Sequence, residues 1–182
     1  MIDLLEHKKI FIINGRAGVG KDKFVQLVSK YAKVVNYSSV QSIKDLARIY
    51  FGYDENIKSD KDRKFLADLK ELTTKYCNFS FNETINTIDL FLNSNNKEIM
   101  FIHCREPEEI KKIKEAVPSC KTILILADNR VIKKVDNNYA DRNTDKFNYD
   151  IILHNDSTIE ALDDIAEQFV NNLRDTKPNT NE

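Results

Sequence analysis

The stretch Gly15-Arg16-Ala17-Gly18-Val19-Gly20-Lys21-Asp22 concentrates the chemistry of this sequence. It fits the pattern G-x-x-x-x-G-K and departs only at the final position, where Asp22 replaces the usual serine or threonine. The chain has four glycines in all, and three of them lie between Gly15 and Gly20, so a chance turn is a poor explanation. Glycines let the backbone turn tightly enough for successive N–H groups to point inward at phosphate oxygens. A helix that starts at the end of such a loop adds its positive end. Lys21 then serves as a mobile point charge for the β- and γ-phosphates. Residues Gly15, Arg16, Ala17, Gly18, Val19, Gly20, Lys21, Asp22 and Lys23 are the expected nucleotide-binding set. Asp22 is a hard oxygen ligand of the type magnesium accepts, and without a cation it would repel a triphosphate. ATP and Mg2+ are therefore the expected cofactors.

Further cations stand where a phosphate-handling site needs them. Arg105 follows the third expected strand, at the sheet edge where ligands bind in open α/β folds, and a guanidinium there can clamp a phosphate with two parallel bonds. Its bland alternative is a salt bridge to Glu106 or Glu109. Lys44 and Arg63 fall in a helical excursion and are candidates for the acceptor phosphate, each weighed against a solvated helix face. Arg130, Lys133 and Lys134, with Arg142 behind them, follow the fourth strand; Arg130 is the best placed to neutralise charge on a transferring phosphoryl group.

The elements that must position these residues alternate. Apolar runs at Lys9–Asn14, Val34–Tyr37, Ile99–His103, Thr122–Leu126 and Asp150–Leu153 read as strands. Between them the pattern predicts helices over 20–32, 40–51, 60–77, 80–93 and 107–116, and a last one from Ser157 to Leu173. Ser80 with Glu83, and Ser157 with Glu160, read as capping boxes; Pro107 suits a helix start and Gly52 a helix end. On the helix over 60–77, Phe65, Leu66, Leu69 and Leu72 fall on one side. The expected class is α/β, with a five-stranded parallel sheet flanked by helices. One domain is expected over 1–174, with a helical acceptor-binding lobe over 40–95, a short lid over 127–147 and a disordered tail over 175–182.

The Gly-Lys-Asp loop resembles that of the deoxynucleoside monophosphate kinases and their relatives, among them animal-type phosphomevalonate kinases. The resemblance continues weakly through Tyr37–Lys44, Arg63–Leu69 and His103–Ile110, and through Tyr149–Ser157 with Glu160 and Leu162. The last of these is similar to the closing strand and turn of nucleotide and dephospho-coenzyme A kinases. It implies the P-loop NTPase fold, an acceptor lobe and a lid, and places Asn155 and Asp156 where adenine is read by backbone groups. It also exposes a departure: such proteins commonly end the third strand with an acid that holds magnesium through water, whereas here the strand ends in His103. Asp22 or Glu106 is then left to handle the metal.

The resulting expectation is transfer of the γ-phosphoryl group of ATP, carried by Lys21, Arg105 and Arg130, to a small phosphorylated acceptor of the (deoxy)nucleoside monophosphate class. A phosphate oxygen is already a nucleophile, and no catalytic aspartate is evident after the second strand. The alternatives are a non-nucleotide phosphate such as phosphomevalonate and a nucleotide-binding regulator without turnover. Composition sets bounds on all three. The chain has 182 residues, 41% hydrophobic and 31% charged, with a formal net charge of -1, so nothing in the global charge calls for nucleic acid or an anionic membrane. No run approaches the ~20 apolar residues of a membrane span. Three scattered cysteines make no metal motif and suit a reducing compartment, and no signal peptide is readable at the start. A cytoplasmic monomer or homodimer is expected. Tyr50, Phe51, Tyr53 and Phe65 are available to stack on a base, with core packing as the competing role.

Overall fold

The computed structural model describes residues 8–57, 59–127, 147–156 and 158–175. The elements run β1 (Lys9–Asn14), α1 (Lys21–Val28), β2 (Val34–Ser38), α2 (Gln41–Phe51), α3 (Asp60–Cys77), α4 (Phe79–Asn93), β3 (Ile99–His103), α5 (Pro107–Ala116), β4 (Lys121–Leu126), β5 (Ile151–His154) and α6 (Ile159–Asp175). All strand pairs are parallel and the order across the sheet is β2-β3-β1-β4-β5. This is the expected α/β architecture with five parallel strands flanked by helices. The residues expected to form a lid between Ala127 and Phe147, with Arg130, Lys133, Lys134 and Arg142, lie outside the described residues, as do Ser157 and the residues beyond Asp175.

The strands are near-continuous apolar runs because both faces of the sheet are covered. Side chains alternate faces along a strand. Phe11 and Ile13 of β1 and Ile99 and Phe101 of β3 turn to the side packed by α1 and α6. Ile10 and Ile12, with Met100 and Ile102, turn to the side of α4 and α5. The first face is built around phenylalanines. The Phe11 and Phe101 rings stack 5.7 Å apart, and Phe169 of α6 meets Phe11 edge-on at 5.1 Å. Phe24 of α1 closes the group against Phe101 and Phe169.

Four local expectations need correction. α1 stops at Val28, not at Ala32: Lys30 and Tyr31 donate to the carbonyls of Leu27 and Val28 in a tightening turn. Tyr31 still packs on the core from that turn, which is why the helical spacing seemed to continue. α4 begins two residues earlier than a cap at Ser80 would have it. Asn78, in the left-handed conformation at φ 51°, ends α3 and starts α4 without a linker. The capping box in this region is instead Ser59 with Asp62, at the start of α3. α3 buries none of its side chains, and Leu72 faces solvent with 66% of its surface exposed. Tyr50 and Phe51 are not core residues either: both are exposed, and Phe51 leans edge-on against Phe65 at 5.4 Å.

Two outcomes follow for stability. Phe101→Ala removes the middle ring of the aromatic group and should cost about 3–5 kcal/mol in urea unfolding. Asp150 ties β5 to its neighbours: it accepts from the Thr122 N–H at 2.7 Å, the Thr122 hydroxyl at 2.8 Å and Lys114 at 2.8 Å. Burial pushes its carboxyl pKa up, but the hydrogen bonds from Lys114 and Thr122 outweigh this and hold it below the ordinary value of 3.8. Its stabilisation is thus present above the ordinary carboxylate range and is lost as pH falls through the lowered pKa. Thermal melts from pH 6 to pH 3 should show a shallower acid loss in Asp150→Asn than in the parent.

Candidate functional site

β1 ends in Asn14, whose side chain is completely buried. Its oxygen accepts the Gly15 N–H at 2.8 Å, and its amide nitrogen donates to the Tyr149 hydroxyl at 2.7 Å and the Arg105 carbonyl at 3.3 Å. One amide thus fixes the start of the loop to the segments that follow β3 and precede β5. Gly15, at φ 149°, has no space for a side chain, since a Cβ would lie 2.5 Å from the Ile125 carbonyl oxygen on β4. The far half of the loop is latched by Asn155, after β5. Its N–H donates to the Leu126 carbonyl at 2.8 Å and its side-chain amide to the Val19 carbonyl at 2.9 Å. Gly20, at φ 95°, leaves the room this latch needs; a Cβ there would sit 2.5 Å from the Asn155 amide nitrogen. Asn155 is therefore a structural clasp of the loop.

Lys21 opens α1, and its side chain is buried in the bowl of the loop. Nζ donates to the carbonyls of Gly15 at 2.6 Å and Arg16 at 2.8 Å. Arg16 and Gly18 are exposed on the rim, Val19 is anchored in the core, and Lys23 points along α1 to Gln26 at 3.2 Å. In front of the loop lies a cleft of about 690 Å³ whose lining includes Lys21, Asp22, Lys44, His103, Arg105 and Glu106. A second recess of about 410 Å³ shares Lys44 with it and holds Tyr53 and Arg63. The cations expected in the lobe are thus ranged outward from the loop. Lys44 stands 4.0 Å from Glu55, and Arg63, largely exposed, 3.5 Å from Asp60.

Asp22 is 93% exposed and faces His103 across the cleft, with Oδ1 3.8 Å from Nε2. Nε2 is buried and has no hydrogen-bond partner among the described residues, so His103 is not the satisfied core histidine that its apolar strand allows. Burial lowers its pKa below 6.5; Asp22 pulls it up, and Lys21 and Arg105 push it down again. The ring is neutral at pH 7.

Glu106 and Glu109 meet a partner the sequence did not suggest. Lys70, from the middle of α3, lies 3.2 Å from Glu106 and 2.8 Å from Glu109. Burial alone would lower the Lys70 pKa, but the two carboxylates raise it above its ordinary value. In return Lys70 holds Glu106 below its ordinary value against the effect of burial. Ser80 joins this group: its hydroxyl hydrogen-bonds the Ser39 carbonyl and lies 3.3 Å from Glu109. Cys104, wholly buried beside the carboxylates, has its thiol pKa pushed well up and is inert as a nucleophile. No helix among the described residues is long and apolar enough to cross a membrane.

Among solved structures, a dephospho-CoA kinase from Campylobacter jejuni matches with a TM-score of 0.52 at 16% identity, over 91% of this chain and 97% of that one. TT1252 from Thermus thermophilus matches with a TM-score of 0.54, also at 16% identity, over 92% of this chain and 98% of that one. No family model and no curated protein matches the sequence. At such identities the likeness is one of fold alone, an α/β architecture with a five-stranded parallel sheet flanked by helices.

The clasp between Gly20 and Asn155 can be tested by a double-mutant cycle. Gly20→Ala should weaken binding of a fluorescent ATP analogue at least about tenfold, through backbone strain and the collision with the Asn155 amide. Adding Asn155→Ala relieves the collision, so the two changes should combine to less than their sum.

Proposed function

We propose that this chain is an ATP-dependent phosphotransferase that moves the γ-phosphoryl group to a small phosphorylated acceptor of the (deoxy)nucleoside monophosphate class. The observation that carries this reading is the continuity of the site: a clasped phosphate loop opens onto a cleft lined by Lys44 and Arg105, and Lys44 leads on to a recess with Arg63 and Tyr53. A donor triphosphate needs the first part of that path, and an acceptor with its own phosphate and a flat ring system suits the second. Such transfer needs little covalent help, because positioning and charge neutralisation supply most of the rate.

The roles divide accordingly. Backbone N–H groups of Gly15–Lys21 cradle the donor phosphates, and Lys21 neutralises charge on the outer ones. Arg105, at the carboxyl end of β3, holds the acceptor phosphate in line. Lys44 and Arg63 draw the acceptor into the lobe, and Tyr53 offers a ring face. The donor set fits a divalent cation at Asp22, an accessible oxygen beside the loop; Glu106 is engaged by Lys70. When bound, such a cation would neutralise charge shared by donor and leaving group. In the lid region, Arg130 remains the candidate for covering the transferred group.

A second reading, a nucleotide-binding regulator without turnover, is favoured by one observation: the strand-end position that ordinarily carries an acid holds His103. The two part on acceptor-dependent turnover. ADP release should be measured across ribo- and deoxyribonucleoside monophosphates. Lys21→Ala should lower kcat/KM by roughly a hundredfold or more. Arg105→Ala should raise the acceptor KM with little change in the KM for ATP. Nucleotide binding that depends on Lys21, with no turnover on any acceptor, would establish the regulator instead.

A further inference from the structure

The Asp22 and His103 side chains face each other beside Lys21, one an exposed oxygen donor and the other a buried nitrogen donor with no partner. A buried polar atom left unpartnered is costly and calls for an explanation. His103 ends β3 between β1 and β2, paired in register with Ile13 and Ser38, and its side chain is largely buried, with 15% exposed. Asp22, by contrast, is free to turn. A neutral imidazole that carries its proton on Nδ1 presents a lone pair at Nε2.

We propose that Asp22 and His103 together ligate a first-row transition-metal ion, Mn2+ or Co2+, on the nucleotide phosphates in preference to Mg2+; the proposal rests on the nucleotide-binding reading of the loop. Magnesium takes oxygen ligands almost exclusively, whereas Mn2+ and Co2+ accept imidazole nitrogen alongside carboxylate and phosphate oxygen. Ligands at adjacent octahedral positions with bonds near 2.1 Å lie about 3 Å apart. The 3.8 Å gap is within reach of that separation through a turn of the exposed Asp22 side chain. The other acids of the region do not compete: Glu106 and Glu109 flank the Lys70 ammonium, which already fills the cation position between them.

The test uses the full chain, a non-hydrolysable ATP analogue and the ions themselves. Pulsed electron paramagnetic resonance of the Mn2+ complex should show the nuclear modulation of a directly bound imidazole nitrogen. That modulation should vanish in His103→Gln while Mn2+ and the analogue still bind. By calorimetry, the preference for Co2+ over Mg2+ in analogue binding should fall by about tenfold or more in His103→Asp. The chain has only two other histidines, so a His7→Gln/His154→Gln variant that keeps the modulation assigns it to His103 even where substitution of His103 disturbs folding. Lys21-dependent binding without nitrogen modulation, or an unchanged ion preference in a folded His103→Asp variant, overturns this proposal and leaves the phosphotransferase reading intact. Failure of the parent chain to bind the analogue with any ion overturns both.

Discussion

The backbone of Gly15 runs so close beneath β4 that a single methyl group would meet the carbonyl oxygen of Ile125. That contact sets the depth at which the loop leaves the sheet. The rest of the site follows from it: the chain must turn at once, Asn14 must stay buried to satisfy the Gly15 N–H, and Lys21 is delivered back over the carbonyls of Gly15 and Arg16. The loop is consequently a property of the sheet. Its conformation is held by β4 below, by Asn14 on one side and by Asn155 on the other.

The lobe is held by a different kind of force. α2 and α4 pack on each other and on the core through Ile43, Ala47, Ile88 and Phe91, while α3 lies across them with no buried side chain. Lys70 supplies the tie between α3 and α5. Exposed ion pairs of this sort contribute little; in a partly buried one desolvation offsets much of the attraction, but loss of one partner leaves the other charge unpaired and is costly. Lys70 belongs to the second case, with less than a fifth of its side chain exposed. The group also joins two parts of the site: Glu106 lines the cleft, and Lys70 belongs to the helix that carries Arg63.

The sheet and the loop were legible in the sequence because each is specified locally. Wholly apolar runs mark strands covered on both faces, and the spacing of Gly15, Gly18, Gly20 and Lys21 is a backbone requirement written into side-chain types. What stayed hidden depends on partners remote in sequence. Asn14 reads as a polar strand end until Tyr149 and Arg105 are beside it, although a polar residue directly before the first loop glycine was a usable signal. Ser80 has the spacing of a helix cap, but its hydroxyl serves a buried contact with Ser39 instead. Lys70 sits in a helix so rich in charge that nothing marks it out; only the fold brings Glu106 and Glu109 to it. Leu72 misled for the opposite reason, since with Phe65, Leu66 and Leu69 it has the spacing of a core face, yet it stands exposed on α3.

α3 has a consequence for how the molecule breathes. A helix of 18 residues with no fully buried side chain forfeits less hydrophobic stabilisation when it detaches than a core helix does, and its main tie to α5 is the Lys70 group. Its amides belong to a unit whose opening free energy is well below that of the sheet, where Phe11, Phe101 and Phe169 must be uncovered before any amide is exposed. The difference in burial thus sets a tightly packed floor, which carries the Gly15–Lys21 loop, against a loosely packed wall, which carries Arg63.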